Sequence, residues 1–348
     1  MSAFENRLVF ACNQVRDAAA ETLEWINDND ALVGTERISL LHEFHRTEVS
    51  ALQLAAAVTQ PPAVAFIGAT RSGKTHAIAA MIERNGGRLV MRFEGIREKI
   101  DFLRNIVPES GRFGASMVMR LSENDKQRPQ NFPIGMRLLS AADIVKVLGG
   151  AYFAAVGKRA RVPSLAEVRD LHAEIQPLAG EDTVVGLSEE DIWDIKAYFT
   201  TRYGEEPLFR TLFAAGYWQA LARLAPNLNN AARSRLLGPL WGNLEPFSEA
   251  FAFLANAGAS LGGGLEANCA LDAILSIDPR TGKFSRRADS VINGETAATL
   301  GQQDDRSVVV CNEFGHWFSM PRTALAALAA EVRLPLPPES SEVTKNAD

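Results

Sequence analysis

Eight consecutive residues carry the plainest chemical signal in the chain. Gly68 to Thr75 read GATRSGKT, which satisfies the pattern GxxxxGK[ST]. In such a loop, small residues let successive backbone N–H groups turn inward onto phosphate oxygens. Gly68 and Gly73 supply torsions and a close approach that a Cβ would obstruct. Ala69, Thr70, Arg71 and Ser72 form the span between them, Lys74 offers an ammonium to β- and γ-phosphates, and the Thr75 hydroxyl suits Mg²⁺. His76 follows as an early residue of the next helix, whose positive end adds to the attraction. The expected ligand is therefore Mg²⁺ with GTP or ATP. Four constrained positions arise by chance in roughly one chain per hundred of this length, so the flanking elements decide the matter.

Those flanks have the required order. Before the loop, AVAFI (63–67) is a continuous apolar run of the kind that forms a strand buried on both faces. After it, HAIAAMIER reads as a helix closed by Asn85, Gly86 and Gly87. Upstream, Phe4, Leu8, Val15, Ala19, Leu23 and Ile26 mark one helical stripe, and Leu40, Phe44, Ala51, Leu54 and Val58 a second. Residues 1–58 thus form a helical hairpin. Downstream, MVMRL (117–121) and FPIGMRLL (132–139) suggest a β-hairpin with one buried face. Between about 140 and 262 the period becomes helical, with the capping signature [ST]xx[DE] at Ser140 and Asp143, Ser164 and Glu167, Ser188 and Asp191. Short strands follow, then a helix from Pro321 to Glu331 and VRLPL as a candidate last strand.

The expected fold is α/β, a P-loop NTPase-like core with a helical N-terminal hairpin and a large helical insertion. Its expected parts are the hairpin (1–58), the first part of the core (59–140), the helical insertion (141–262), a mixed β/α segment returning to the core (263–337) and a disordered tail (338–348).

Binding is not hydrolysis, which needs a carboxylate at the end of a neighbouring strand and a group that positions water. The candidates are Asp278, ending AILSID but opening a turn, and Glu313 after SVVVC. No DxxG or [NT]KxD motif is present, so neither the base nor turnover is readable. Arg71 and Arg112 are candidate phosphate contacts but suit solvated surface better. Catalytic residues stay unassigned. The histidines His42, His45, His76, His172 and His316 make no ligand cluster beyond the first pair, a poor zinc site.

With 348 residues, 47% apolar and 22% charged, the chain can bury a large core. A net charge of −6 argues against the basic field that non-specific nucleic-acid binding requires. Cys12, Cys269 and Cys311 are odd in number and widely spaced, which indicates neither a disulfide framework nor a zinc knuckle. The uncharged stretch from Val49 to Thr70 is broken by Gln60, Pro61 and Pro62, so no integral membrane segment is expected, and the expected location is the cytoplasm.

The ordered motifs also resemble a family. The helical N-terminus, GATRSGKT, IDFLRNIVP followed by SMVMRLSE, FPIGMRLLSAADIVKVL, VINGETAATLG and RTALAALAAEVRLPLP together look like the N-terminal part of SrfC-type virulence factors of Gram-negative bacteria. The resemblance covers most of residues 1–337. It implies a GTPase-like P-loop protein acting with companion proteins, and it transfers to Gly68, Gly73, Lys74 and Thr75 alone. In that family a DxxG-like motif follows the segment resembling RLPLP, whereas here the sequence continues ESSEVTKNAD, so the chain reads as a truncated or split member. The resulting expectation is a nucleotide-binding protein that couples nucleotide state to a protein partner. A non-catalytic scaffold stabilised by nucleotide and an ATP-dependent P-loop enzyme are the alternatives.

Overall fold

The computed structural model of the chain describes residues 2–59, 63–67, 73–82, 90–91, 93, 100–101, 118–122, 128–129, 131–156, 159–273, 276–277, 284–285 and 307–336. The N-terminal hairpin comprises α1 (Ala3–Asp28), a short α2 (Asp30–Val33) and α3 (Arg37–Thr59). Ser2 and Glu5 close a reciprocal cap on the first helix. Leu23, Ile26 and Leu41 bury a small core of their own near the turn, with Val33, Leu40 and Phe44 packed around it. Helix α4 (Lys74–Ile82) follows the loop motif, and its last residue, Ile82, packs against the main apolar core.

The helical block follows in order: α5 (Ala141–Val156), α6 (Leu165–Ile175), α7 (Glu189–Tyr203), α8 (Pro207–Ala214), α9 (Tyr217–Leu224), α10 (Asn230–Leu236) and α11 (Glu245–Ala259). Three of these begin where the capping signatures put them. Ser140 accepts from the Asp143 amide, Ser164 from Glu167 and Ser188 from Asp191, and each carboxylate reaches back to the cap backbone. Such a cap is built within four residues, which is why a short motif suffices to read it.

Ten strands are described: β1 (Val90–Met91), β2 (Ile100–Asp101), β3 (Val118–Ser122), β4 (Ile134–Leu138), β5 (Glu266–Cys269), β6 (Ser276–Ile277), β7 (Phe284–Ser285), β8 (Ser307–Asn312), β9 (Trp317–Pro321) and β10 (Ala329–Pro335); α12 (Arg322–Leu328) precedes the last. Six of them form one sheet in the order β3-β10-β4-β5-β8-β9, and only the β3–β10 pair is parallel. The expected hairpin between residues 117 and 139 is therefore corrected. β10 enters between β3 and β4 and bonds to both, because its own alternation puts Val332 and Leu334 on the same buried face as Met136.

That face, with Ile134, Leu138, Ala267, Cys269, Val310 and Met320, shares one apolar core with the helices. Around β4, β5 and β10 the opposite face carries charge. Arg333 reaches Glu266 at 2.6 Å and Glu331 at 3.0 Å. Beside it the Arg128 guanidinium lies flat on Gly135, where a Cβ would come within 2.8 Å of its nitrogen. The architecture is thus a mixed α/β assembly, a six-stranded sheet with one face against a helical layer.

The run Ala63–Ile67 differs from expectation. It carries neither helix nor strand and joins none of the three sheets, and Val64 is 73% and Ile67 93% exposed. A strand buried on both faces needs a neighbour along each edge, and among the described residues this run has none. No helix among the described residues is long and apolar enough to cross a membrane.

Candidate functional site

The end of the phosphate-loop motif falls on α4. Gly73 has φ +80°, a left-handed torsion that strains any residue with a Cβ, and among the described residues nothing lies within 4 Å of the place a Cβ would take. Its carbonyl accepts from the Ala77 amide at 3.0 Å, so the glycine caps a helix whose first residues are Lys74, Thr75 and His76. Lys74 is half-buried and His76 exposed. The amides of this first turn have no intrahelical acceptor and carry the positive end of the helix dipole. Gly68, Ala69, Thr70, Arg71 and Ser72 lie outside the described residues, as do Arg112 and Asp278. Glu313 sits exposed in the turn after β8, its carboxylate over Gly264. That turn is held by Asn312, whose side-chain oxygen accepts from the amides of Phe314 and His316.

The remaining histidines are dispersed. His45 Nδ1 lies 3.7 Å from Glu48, His172 stacks on Tyr217 with ring centroids 6.0 Å apart, and His316 is exposed. Among the described residues no group of three or more His, Cys, Asp or Glu is placed to hold a metal ion. All three cysteines are buried and none forms a disulfide.

Two features escaped the sequence reading. The first is Arg233, a fully buried guanidinium. It donates to the carbonyls of Val184, Val185, Ala225 and Pro226 and to Asn230 Oδ1, which fastens the loop before α7 to the start of α10. Burial lowers its pKa to about 10 against the pull of the Asp191 carboxylate. Gly186 makes room for it: a Cβ there would fall 2.6 Å from Nη1, at φ +134°. The spacing Asn230, Arg233, Leu236 was the available sign, an arginine on the inward face of its helix.

The second feature is a cleft of about 890 Å³ beside that loop, where Arg37 and Leu41 of the hairpin meet Val184, Val185, Glu189, Trp193, Gln219 and Arg223 of the block. Its size suits a small ligand and its place is a junction between substructures. A shallower groove of about 580 Å³ runs between α1 and α3, floored by Leu8, Ala11, Cys12, Val15, Ala51 and Leu54.

The sequence model of the family described as "Putative bacterial virulence factor" matches residues 22–348. The chain belongs to that family. The match spans nearly the whole sequence and takes in the second hairpin helix, the loop motif, the helical block and the sheet. No curated protein and no solved structure matches the chain.

Proposed function

We propose that this virulence-factor family member is a P-loop nucleotide-binding protein that holds Mg²⁺ with GTP or ATP at Gly68–Thr75 and couples nucleotide state to a protein partner. The observation that carries the reading is the meeting of motif and backbone at Gly73: the glycine that the pattern demands takes a left-handed torsion at the head of a helix opening with Lys74 and Thr75. In this reading the loop amides cradle the phosphates, Lys74 neutralises them, and the Thr75 hydroxyl holds the metal. GTPase-like turnover, the cytoplasm as location and companion proteins belong to the same proposal. The test is direct. Lys74→Ala abolishes binding of a fluorescent GTP or ATP analogue in the presence of Mg²⁺, with helical circular dichroism unchanged; equal affinity of variant and wild type refutes the site. Competition by unlabelled ATP and GTP then assigns the base.

A second reading, a non-catalytic scaffold, draws on a specific observation. The run ahead of the loop pairs with no strand among the described residues and is exposed at Val64 and Ile67, and the apolar groove on the hairpin offers a surface for assembly. Single-turnover phosphate release by excess protein, lost in Lys74→Ala, rules this reading out.

A further inference from the structure

One lysine outside the nucleotide motif stands in an unusual setting. Lys196, on α7, is half-buried, with its Nζ 4.9 Å from the centre of the Trp193 ring and 5.7 Å from that of Phe213 on α8. Among the described residues it forms no ion pair. Three of the four carboxylates on α7 are engaged elsewhere: Glu189 accepts from the Trp193 indole, Asp191 from the Ser188 amide and hydroxyl, and Asp194 is taken by Lys146 of α5. Lys146 makes the contrast plain, since it is as much enclosed but faces both Asp194 and Asp143. Two ring faces attract a cation yet replace little of the hydration that burial removes. Desolvation accordingly holds the Lys196 ammonium below the ordinary lysine value. A lysine desolvated against apolar groups presents more free amine at neutral pH than a solvated one, and the free amine is the nucleophile.

We infer that Lys196 is an acceptor site for an activated acyl group, an acyl phosphate or a thioester of a short-chain acid. The amine lone pair attacks the acyl carbon and an N–C bond forms. The C–O bond to phosphate, or the C–S bond to the thiol, breaks; phosphate or thiol departs and the amine proton passes to solvent. The product is a neutral amide between two rings, without the cation that tied α7 to α8. Trp193 also lines the cleft beside the hairpin, so the modification reports there. The inference is independent of the nucleotide reading, which uses a different lysine.

The chain has eight lysines, so their reactivities can be ranked in one experiment. The full protein is treated at pH 7.5 with limiting acetyl phosphate, and in a parallel arm with an acetyl thioester, then digested and the acetyl occupancy of each lysine followed by mass spectrometry. Lys196 is expected to react first in at least one arm, at least fivefold faster than Lys146, and the arm in which it does so names the donor class. Phe213→Ala, at a partly exposed position that leaves the core filled, rehydrates the amine and brings Lys196 down to the rate of the exposed lysines. If Lys196 ranks among the slower lysines in both arms, or its rate is unchanged in Phe213→Ala, the inference is wrong.

Discussion

Arg233 shows how much a single residue can organise. Its donors go to carbonyl oxygens from two segments some forty residues apart, and no carboxylate among the described residues bonds it directly. The side chains of Val184 and Val185 are substantially exposed, so the loop is held through its backbone, by these bonds and by the Val184 amide, which donates to the Pro226 carbonyl. Arg233→Met keeps the apolar stem and removes the donors, so the Val184 and Val185 carbonyls lose these bonds. The expected cost is about 3–4 kcal/mol, seen as a lower midpoint in urea unfolding. The motif NNAARSRL shows an arginine on the helix but not what it bonds, because the acceptors are supplied by a distant loop. By contrast GATRSGKT announces itself, since the torsion at Gly73 and the helix start at Lys74 are local consequences of the residues themselves.

At the scale of elements, His172 on α6 rests against Tyr217 on α9, and its Nε2 is buried without a hydrogen-bond partner. Burial first, and the Arg223 guanidinium second, hold its pKa below the ordinary value. A histidine so depressed favours the folded state while neutral. That stability is complete above the unfolded pKa of about 6.5 and is lost as pH falls through the lower folded value, because the unfolded chain binds the proton first. Melting temperature should thus decline between neutral and mildly acidic pH, and His172→Phe, which keeps a ring against Tyr217, should flatten that decline. An identical pH dependence in the variant removes His172 as its cause. The helices themselves were largely readable: serines 140, 164 and 188 start them, and cap chemistry is complete within one turn. Strand pairing was not. Nothing near Met117–Leu139 says that a segment some two hundred residues later will lie between β3 and β4, and alternation alone fits either partner.

For the whole molecule, β10 is the keystone of the sheet. It supplies the only parallel pairing among the described strands and joins β3 to the rest, and its Val332 and Leu334 are fully inside the core. A chain ending at Leu328 leaves β3 with no hydrogen-bonded neighbour and exposes one edge of β4. Hydrogen exchange of the amides at 118–122 should then rise to the rate of unstructured peptide, while α9 and α10, remote from the sheet, keep their protection. Retained protection in β3 would show that its partner lies elsewhere.

The hairpin has its own mechanical character. Its small core and its contact with α7 both lie toward one end, near Ile26 and Leu41, while Phe4 and Thr59 lie toward the other. A helix of 26 residues is roughly 39 Å long at about 1.5 Å per residue. Pivoted at that end, it acts as a lever, and a swing of about 10° carries its tip through roughly 7 Å. The tip of α3 at Thr59 leads in sequence toward Gly68–Thr75, so on the proposed nucleotide reading a force on the hairpin is delivered next to the phosphate.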